Sequence, residues 1–131
     1  PVMGHLGFTP QSVNLTGARV QNRGDDGAAR LLDEARRLED AGAFAVVLEL
    51  VPGSVAQTVS EALSIPTIGI GAGAGCDGQV LVLHDMLGLN PGFAPRFLRV
   101  FADVGQVAGD GVREYVRTVK AGEFPTAENT F

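Results

Sequence analysis

The fold is decided by residues 44–53, Phe-Ala-Val-Val-Leu-Glu-Leu-Val-Pro-Gly, where one carboxylate, Glu49, stands near the end of an otherwise apolar run. A run this apolar, too short for a free-standing helix and closed by Pro-Gly, predicts a strand buried on both faces, as in parallel sheets. Ligands of such sheets bind at the carboxyl ends of the strands. Two interpretations of Glu49 stay open: a catalytic base at an aqueous cleft, or a strand-end glutamate that faces bulk water.

The composition limits the classes of protein that this chain can represent. Its 131 residues, 45% of them hydrophobic and 19% charged, predict one globular domain or part of one. A formal net charge of −5 argues against nucleic acid and anionic membranes as partners. The single cysteine, Cys76, excludes an intramolecular disulfide, and no stretch is typical of a signal peptide or a membrane span. We therefore expect a cytoplasmic protein.

Outward from residue 49, apolar runs alternate with helical spacings and predict an α/β fold with a parallel sheet. The predicted strands are residues 2–6, 44–51, 67–71 and 79–85; the predicted helices are residues 25–41, 54–63, 95–101 and 112–120. A long polar loop, of the kind that is usually functional, is predicted for residues 11–24. The gap between the third and fourth runs is too short for an ordinary crossover helix. Either a glycine loop with one helical turn connects them, or one of the two strands is wrong.

Other residues of types that bind metals or catalyse reactions occur in sequence patterns that are less specific. His5 and His84 fall at or near predicted strand ends without a second histidine or cysteine at ligand spacing, so zinc has little support. Asp77 and Asp85 are candidates for a hard cation or for turn formation.

Two more patterns concern anionic ligands. The Gly-x-Gly-x-Gly of residues 69–73 lacks the rest of a dinucleotide fingerprint and favours a glycine-lined rim with backbone N–H groups available to an anion. In the long loop, Arg23 and Asp25 form either a clamp for an anionic substrate or an exposed pair.

Several blocks follow one another along nearly the whole chain. They are Gly-His-Leu-Gly-Phe-Thr-Pro-Gln-Ser-Val-Asn at residues 4–14, Val-Gln-Asn-Arg-Gly-Asp at 20–25, Leu-Glu-Leu-Val-Pro at 48–52, Ile-Pro-Thr-Ile-Gly-Ile-Gly-Ala-Gly at 65–73, Asp-Gly-Gln-Val-Leu-Val at 77–82, and the ending from Phe-Pro at 124–125 to residue 131. In this order they resemble the ketopantoate hydroxymethyltransferase family, also called 3-methyl-2-oxobutanoate hydroxymethyltransferases.

The resemblance implies a fold larger than this chain. Members of the family are (β/α)8 TIM barrels of about twice this length, since a complete barrel runs to roughly 250 residues. Residues 1–131 would then be the C-terminal half of a single barrel domain, strands 5–8, with the N-terminal half absent. In the family, the aspartates that bind Mg²⁺ and the lysine that contacts the keto acid belong to the first four βα units. We therefore expect no metal ligand in this chain.

The resemblance also implies a reaction, the transfer of a hydroxymethyl group from 5,10-methylenetetrahydrofolate to 3-methyl-2-oxobutanoate. The product is 2-dehydropantoate (ketopantoate), a precursor of pantothenate. Glu49 matches the general base, and Mg²⁺ on the keto acid stabilises the enolate. His5 is a candidate for substrate binding. The family suggests a homo-oligomer, a decamer, with small molecules as its other partners.

The alternative is a non-catalytic half-barrel fragment, or a subunit that needs a separate N-terminal half. In either case we expect the chain to be inactive alone.

The sequence departs from the family pattern at three places. Residues 17–19, Gly-Ala-Arg, are one residue shorter than usual and lack an aromatic residue. Asn22 stands where glycine is usual, although asparagine tolerates a positive φ. Asn129 and Thr130 replace the usual His-Ser. Residues 17–22 belong to the long loop predicted for residues 11–24. The family's substrate contacts from that loop therefore do not carry over to this chain residue by residue.

Overall fold

The computed structural model describes residues 1–17 and 19–131; Ala18 and the side chain of Thr16 lie outside this description. The shortened loop at residues 17–19 is therefore described only in part. The chain divides into two compact units, Pro1–Val80 and Leu81–Phe131. No helix in the described part of the chain is long and apolar enough to cross a membrane.

The first unit contains a four-stranded parallel sheet in the order β1 (Met3–Gly7), β2 (Ala45–Glu49), β3 (Thr67–Ile70) and β4 (Gly78–Gln79). Between them lie a 3-10 helix (Pro10–Ser12), α1 (Val13–Thr16), α2 (Gly24–Asp40) and α3 (Gly53–Ala62). The predicted α/β class with a parallel sheet is confirmed. The helices predicted at residues 25–41 and 54–63 are each displaced by a single residue from α2 and α3.

The hydrophobic core lies between the sheet and the helices α2 and α3. Val46 and Leu48 of β2 are fully buried and belong to one cluster with Leu31 of α2 and Val59 of α3. Because side chains alternate along a strand, the residues between them lie on the opposite side of the sheet. We call that side the far face; the register assigns to it Met3, His5, Val47, Glu49, Ile68 and Ile70. Val47 and Glu49 are only partly buried there.

Two predictions for the first unit need correction. The loop predicted for residues 11–24 begins with the 3-10 helix and α1, a four-residue helix whose described side chains are all exposed; Leu15 is 90% exposed. The fourth strand has two residues, not the seven predicted, and its pairing ends with the bond from Val80 N to Gly69 O. Residues 71–77 are a glycine loop without a helical turn.

The second unit contains α4 (Leu83–Met86), α5 (Val104–Ala121) and a 3-10 helix (Ala127–Asn129). The helix predicted for residues 95–101 is wrong: it is a single turn closed by Leu98 N and Pro95 O. Further on, Phe101 N bonds Met86 O and Val104 N bonds Leu87 O, so these N–H groups do not continue a helix.

The last predicted helix begins at Val104 and not at Val112. Its first half contains three glycines, which lower helix propensity and hide the helix in the sequence. The Asp103 carboxylate caps it by accepting Gln106 N at 3.2 Å. One of these glycines, Gly105, is required by packing, because a Cβ at this position would overlap the Gly88 carbonyl.

Candidate functional site

The site is built where β1 and β2 end. The register pairs His5 with Val47 and Gly7 with Glu49, so His5 and Glu49 are two positions apart along neighbouring strands and share the far face. His5 Nε2 lies 2.9 Å from Glu49 Oε2. The His5 side chain is 36% exposed and the Glu49 side chain 16%. The structure thus brings together both residues that the sequence analysis proposed for the site.

Three backbone hydrogen bonds fix the main chain around Glu49. Glu49 O accepts Phe8 N at 2.8 Å, just after β1. The next residue, Leu50, donates its N–H to Ile70 O at 2.9 Å and accepts Gln21 N at 2.8 Å. The loop after α1 is thereby anchored to the main chain of the residue that follows Glu49.

Leu50 itself has an unusual conformation, with φ at +49°. A non-glycine residue in this left-handed region is strained, and such strain concentrates at functional sites. The sequence carries no signal of it, since leucine is not a residue that favours positive φ.

Gly7 holds β1 close to Glu49. Its φ is +87°, a conformation that L side chains rarely adopt. A Cβ at this position would overlap the carbonyl oxygen of Glu49 and stand 2.7 Å from Val51 Cγ1. Only glycine fits without moving the main chain that carries the carboxylate.

The arrangement suits proton transfer. Within the described residues, the only ion-pair partner of Glu49 is His5, and no lysine or arginine lies within 4.0 Å of its carboxylate. A carboxylate paired with an imidazole retains a second oxygen, Oε1, that can accept a proton from a ligand on the far face.

The described residues do not form a cluster suited to a divalent metal. In the described part of the chain, no group of three or more His, Cys, Asp or Glu side chains is placed to hold a metal ion. Mg²⁺ binds an octahedron of oxygen ligands, usually with one or two carboxylates. The His5–Glu49 pair does not fit that requirement by itself, because its one carboxylate is already bonded to an imidazole.

Asp77 has a structural role at the opposite end of the sheet. Its Oδ2 accepts Thr67 N at 2.8 Å and Thr67 Oγ1 at 3.0 Å. The bond from the Thr67 backbone is the main reason that the pKa of Asp77 is lowered. Thr67 begins β3, three residues before Ile70, the partner of Glu49. Asp77 therefore anchors the loop that precedes β4, well away from the candidate base.

The other acidic and histidine candidates lie in the second unit. Asp85 Oδ1 accepts Asn90 Nδ2 at 3.0 Å, a local contact after α4. His84 belongs to α4, so its predicted place near a strand end is wrong.

The glycines in and after β3 allow close packing. Gly73 has φ at +76°, and a Cβ there would lie 3.0 Å from Gly53 Cα at the start of α3. A Cβ on Gly69 would lie 3.0 Å from Cys76 Sγ. Gln79 Nε2 secures the loop through Gly73 O at 2.9 Å. Because no helix opens directly behind β3, the frame of a dinucleotide site is not formed by these residues.

In the loop before α2, the proposed clamp is not closed. Arg23 and Asp25 are both exposed, and no ion pair joins these two described residues. Asn22 has φ at +53°, the conformation expected of a residue that replaces glycine, and its Nδ2 bonds Gly27 O at 3.2 Å.

Comparison with known proteins identifies the family to which the chain is similar. The model of the family described as ketopantoate hydroxymethyltransferase matches residues 1–127. Three similar proteins are all named 3-methyl-2-oxobutanoate hydroxymethyltransferase. The one from Clostridium novyi is 51% identical over 100% of this chain and 48% of its own length. The one from Gluconacetobacter diazotrophicus is 60% identical over 96% and 46%. The one from Nitratidesulfovibrio vulgaris strain DP4 is 57% identical over 100% and 43%.

The chain spans about half the length of the curated relatives it matches. The match to the family model nevertheless covers nearly all of its 131 residues, including both members of the His5–Glu49 pair. The chain belongs to the ketopantoate hydroxymethyltransferase family.

Proposed function

We propose that this chain supplies the catalytic base of an enzyme that transfers a hydroxymethyl group from 5,10-methylenetetrahydrofolate to 3-methyl-2-oxobutanoate, giving 2-dehydropantoate for pantothenate biosynthesis. Membership of the family and the names of the relatives support the acceptor and the transferred group. The folate donor is proposed on the family resemblance. The observation that carries the proposal is the partly buried Glu49 carboxylate at the end of β2, held by His5 on the far face.

The chemistry requires a base because the C3–H bond of the keto acid must be broken. Glu49 takes this proton on its carboxylate, and the electron pair of the C–H bond passes into the enolate of the keto acid. The enolate carbon then forms the new C–C bond to the one-carbon unit, and both C–N bonds that joined this unit to the folate break. Water supplies the hydroxyl oxygen, and the two folate nitrogens take up one proton each, so that tetrahydrofolate leaves. Glu49, now neutral, holds the proton at the strand end until it is returned to solvent or to the leaving folate.

Magnesium remains the proposed cofactor, with its ligands outside these 131 residues, and when bound it supplies charge stabilisation for the enolate.

The proposed architecture is the C-terminal half of a single (β/α)8 TIM barrel, with β1 to β4 as its strands 5–8. Three features support it: the parallel order of consecutive strands, helices α2 and α3 on one side of the sheet, and relatives of about twice this length. In such a barrel the far face lines the interior, and the carboxyl end of β2, with Glu49, borders the mouth where active sites lie.

We also propose that the protein acts on small-molecule substrates, is located in the cytoplasm and forms a homo-oligomer, a decamer by family resemblance. Apolar side chains exposed on α5 are compatible with burial against other chains. Val107 is 72% exposed, Val112 63% and Tyr115 57%.

Product formation tests the proposal. In the complete gene product that contains this chain, Glu49→Gln removes the basic oxygen and keeps the shape of the side chain, so the transfer rate should fall by about 100-fold or more. Glu61→Gln is a matched control, because Glu61 is an exposed glutamate of α3 whose carboxylate accepts only the Gln57 side chain among the described residues. Equal rates in the Glu49 and Glu61 variants would contradict the proposal.

A second function is favoured by the sheet itself: a non-catalytic half-barrel, or a subunit that needs a separate N-terminal half. β1 is an edge strand of the described sheet. Its first residue, Met3, is 46% exposed, and Val2, which precedes it, is 66% exposed. Unpaired strand edges favour association with another chain.

Sedimentation and transferase assays on residues 1–131 alone, compared with the complete gene product, separate the two functions. We expect the isolated chain to self-associate and to be inactive. A monomer that turns over substrate would contradict both the proposed architecture and the second function.

A further inference from the structure

We propose that His5 is a positioning residue for Glu49 and does not bind the substrate itself. Its imidazole holds Oε2 of the carboxylate, which directs the other oxygen, Oε1, to the substrate proton. The inference rests on the proposed function of Glu49 as the base. It replaces the expectation from sequence that His5 contacts the keto acid.

The contact between the two side chains is direct. Nε2 of His5 lies 2.9 Å from Oε2 of Glu49, a normal length for a hydrogen bond to a carboxylate. Because an ionised carboxylate can only accept, Nε2 is the donor. With Nε2 donating, this nitrogen has no capacity left for a carboxylate or keto group of the substrate, since each ring nitrogen carries at most one hydrogen.

The orientation of the carboxylate depends on this contact. Within the described residues, the hydrogen bond from His5 is the only one that the Glu49 side chain accepts. Apart from His5, its neighbours on the far face are apolar: Val47 precedes it by two residues in β2, and Ile70 is its partner in β3. Apolar neighbours restrict the space of a carboxylate but cannot select which oxygen faces the substrate.

The backbone gives the pair a rigid base. His5 lies in β1 two residues before Gly7, whose close approach to the Glu49 carbonyl sets the distance between the strands. The hydrogen bond from Phe8 N to Glu49 O, 2.8 Å long, joins the ends of the same two strands. His5 and Glu49 are therefore carried by paired strands, the kind of support that holds a reacting group in its productive geometry.

Loss of the imidazole should act on the rate and not on affinity. A carboxylate free to rotate spends less time in a geometry from which it can accept the C3 proton, and small misplacements of a reacting group lower rates by about 10- to 100-fold. Binding of the keto acid, which in this account does not use His5, should be unchanged.

The test compares two substitutions in the complete gene product. His5→Gln keeps an N–H donor close to the position of Nε2, whereas His5→Phe keeps a ring and removes the donor. His84→Phe is the matched control, since the chain's other histidine is exposed in α4. If His5→Phe does not fold, His5→Asn takes its place, because its amide is too short to reach Glu49.

Two quantities are measured at constant magnesium: the rate at which saturating 3-methyl-2-oxobutanoate exchanges its C3 hydrogen for deuterium, and the Kd of the keto acid by calorimetry. We expect His5→Phe to lower the exchange rate by about 10- to 100-fold with a Kd within about threefold of the native value. His5→Gln should recover most of the rate, and His84→Phe should behave as the native protein.

Other outcomes overturn the inference. A weaker Kd with an unchanged saturated rate would make His5 a substrate ligand. An unchanged rate and Kd in His5→Phe, or a glutamine variant as slow as the phenylalanine variant, would remove the positioning role. Failure of the proposed function is distinguishable, because Glu49→Gln would then exchange normally whatever the His5 variants do.

Discussion

Replacement of Gly7 by alanine should damage both the stability of the first unit and the placement of Glu49. Two separate penalties arise. The positive φ of +87° costs about 1–2 kcal/mol for a residue with a Cβ. The added Cβ also overlaps the Glu49 carbonyl and stands 2.7 Å from Val51 Cγ1, and overpacking of this kind costs about 1–3 kcal/mol.

Gly42→Ala provides a matched control for the first penalty. Gly42 has φ at +88°, but nothing lies within 4 Å of the position that its Cβ would take. The difference between the two variants therefore isolates the steric overlap at Glu49. Urea unfolding should show Gly7→Ala less stable than Gly42→Ala by about 1–3 kcal/mol.

Catalysis should separate the two variants further. Relief of the overlap moves the strand end that carries Glu49 by an amount of the order of 1 Å, and a misplacement of that size lowers a rate by about 100-fold. Deuterium exchange at C3 should therefore fall in Gly7→Ala and stay near native in Gly42→Ala. Equal stability in the two variants, with native exchange in both, would refute the packing argument.

The remaining predictions concern α5 and the loop before β4. Gly111→Ala should stabilise the protein by about 0.5–1 kcal/mol, because nothing lies near its Cβ position in the helix. Gly105→Ala should destabilise the protein, because its Cβ would overlap the Gly88 carbonyl. If thermal melting shows a higher Tm for both variants, the close contact between Gly105 and Gly88 is contradicted. The lowered pKa of Asp77 means that the stability from its bonds to Thr67 is present above its unfolded pKa and is lost as the pH falls through the folded one. Unfolding curves of Asp77→Asn should therefore show a weaker loss of stability in acid, below about pH 4, and a slope equal to that of the native protein would exclude this role.

The elements with a strong period could be predicted from the sequence. The apolar run of residues 44–51 gives β2, and helical spacing gives α2 and α3 with nearly correct bounds. The elements that failed depend on contacts distant in sequence. Residues 79–85 are apolar enough for a strand, but β4 ends at Gln79 after only two residues have found a partner in β3.

The candidate base could be predicted because an isolated carboxylate in an apolar run is conspicuous. Its contact with His5 could not, since it requires the register that pairs Gly7 with Glu49, and register is a property of two strands together. The same holds for the strained Leu50 and for Gln21, whose main-chain atoms meet at 2.8 Å although neither residue has a pattern that indicates it.

The most direct test of the central claim is hydrogen exchange at C3 of 3-methyl-2-oxobutanoate in deuterated buffer, without a folate donor, by the complete gene product and its Glu49→Gln variant. Omitting the donor isolates removal of the proton from every later step. If Glu49 is the base, exchange falls by about 100-fold or more in the variant while the calorimetric Kd of the keto acid changes little. Near-native exchange in Glu49→Gln would contradict the account.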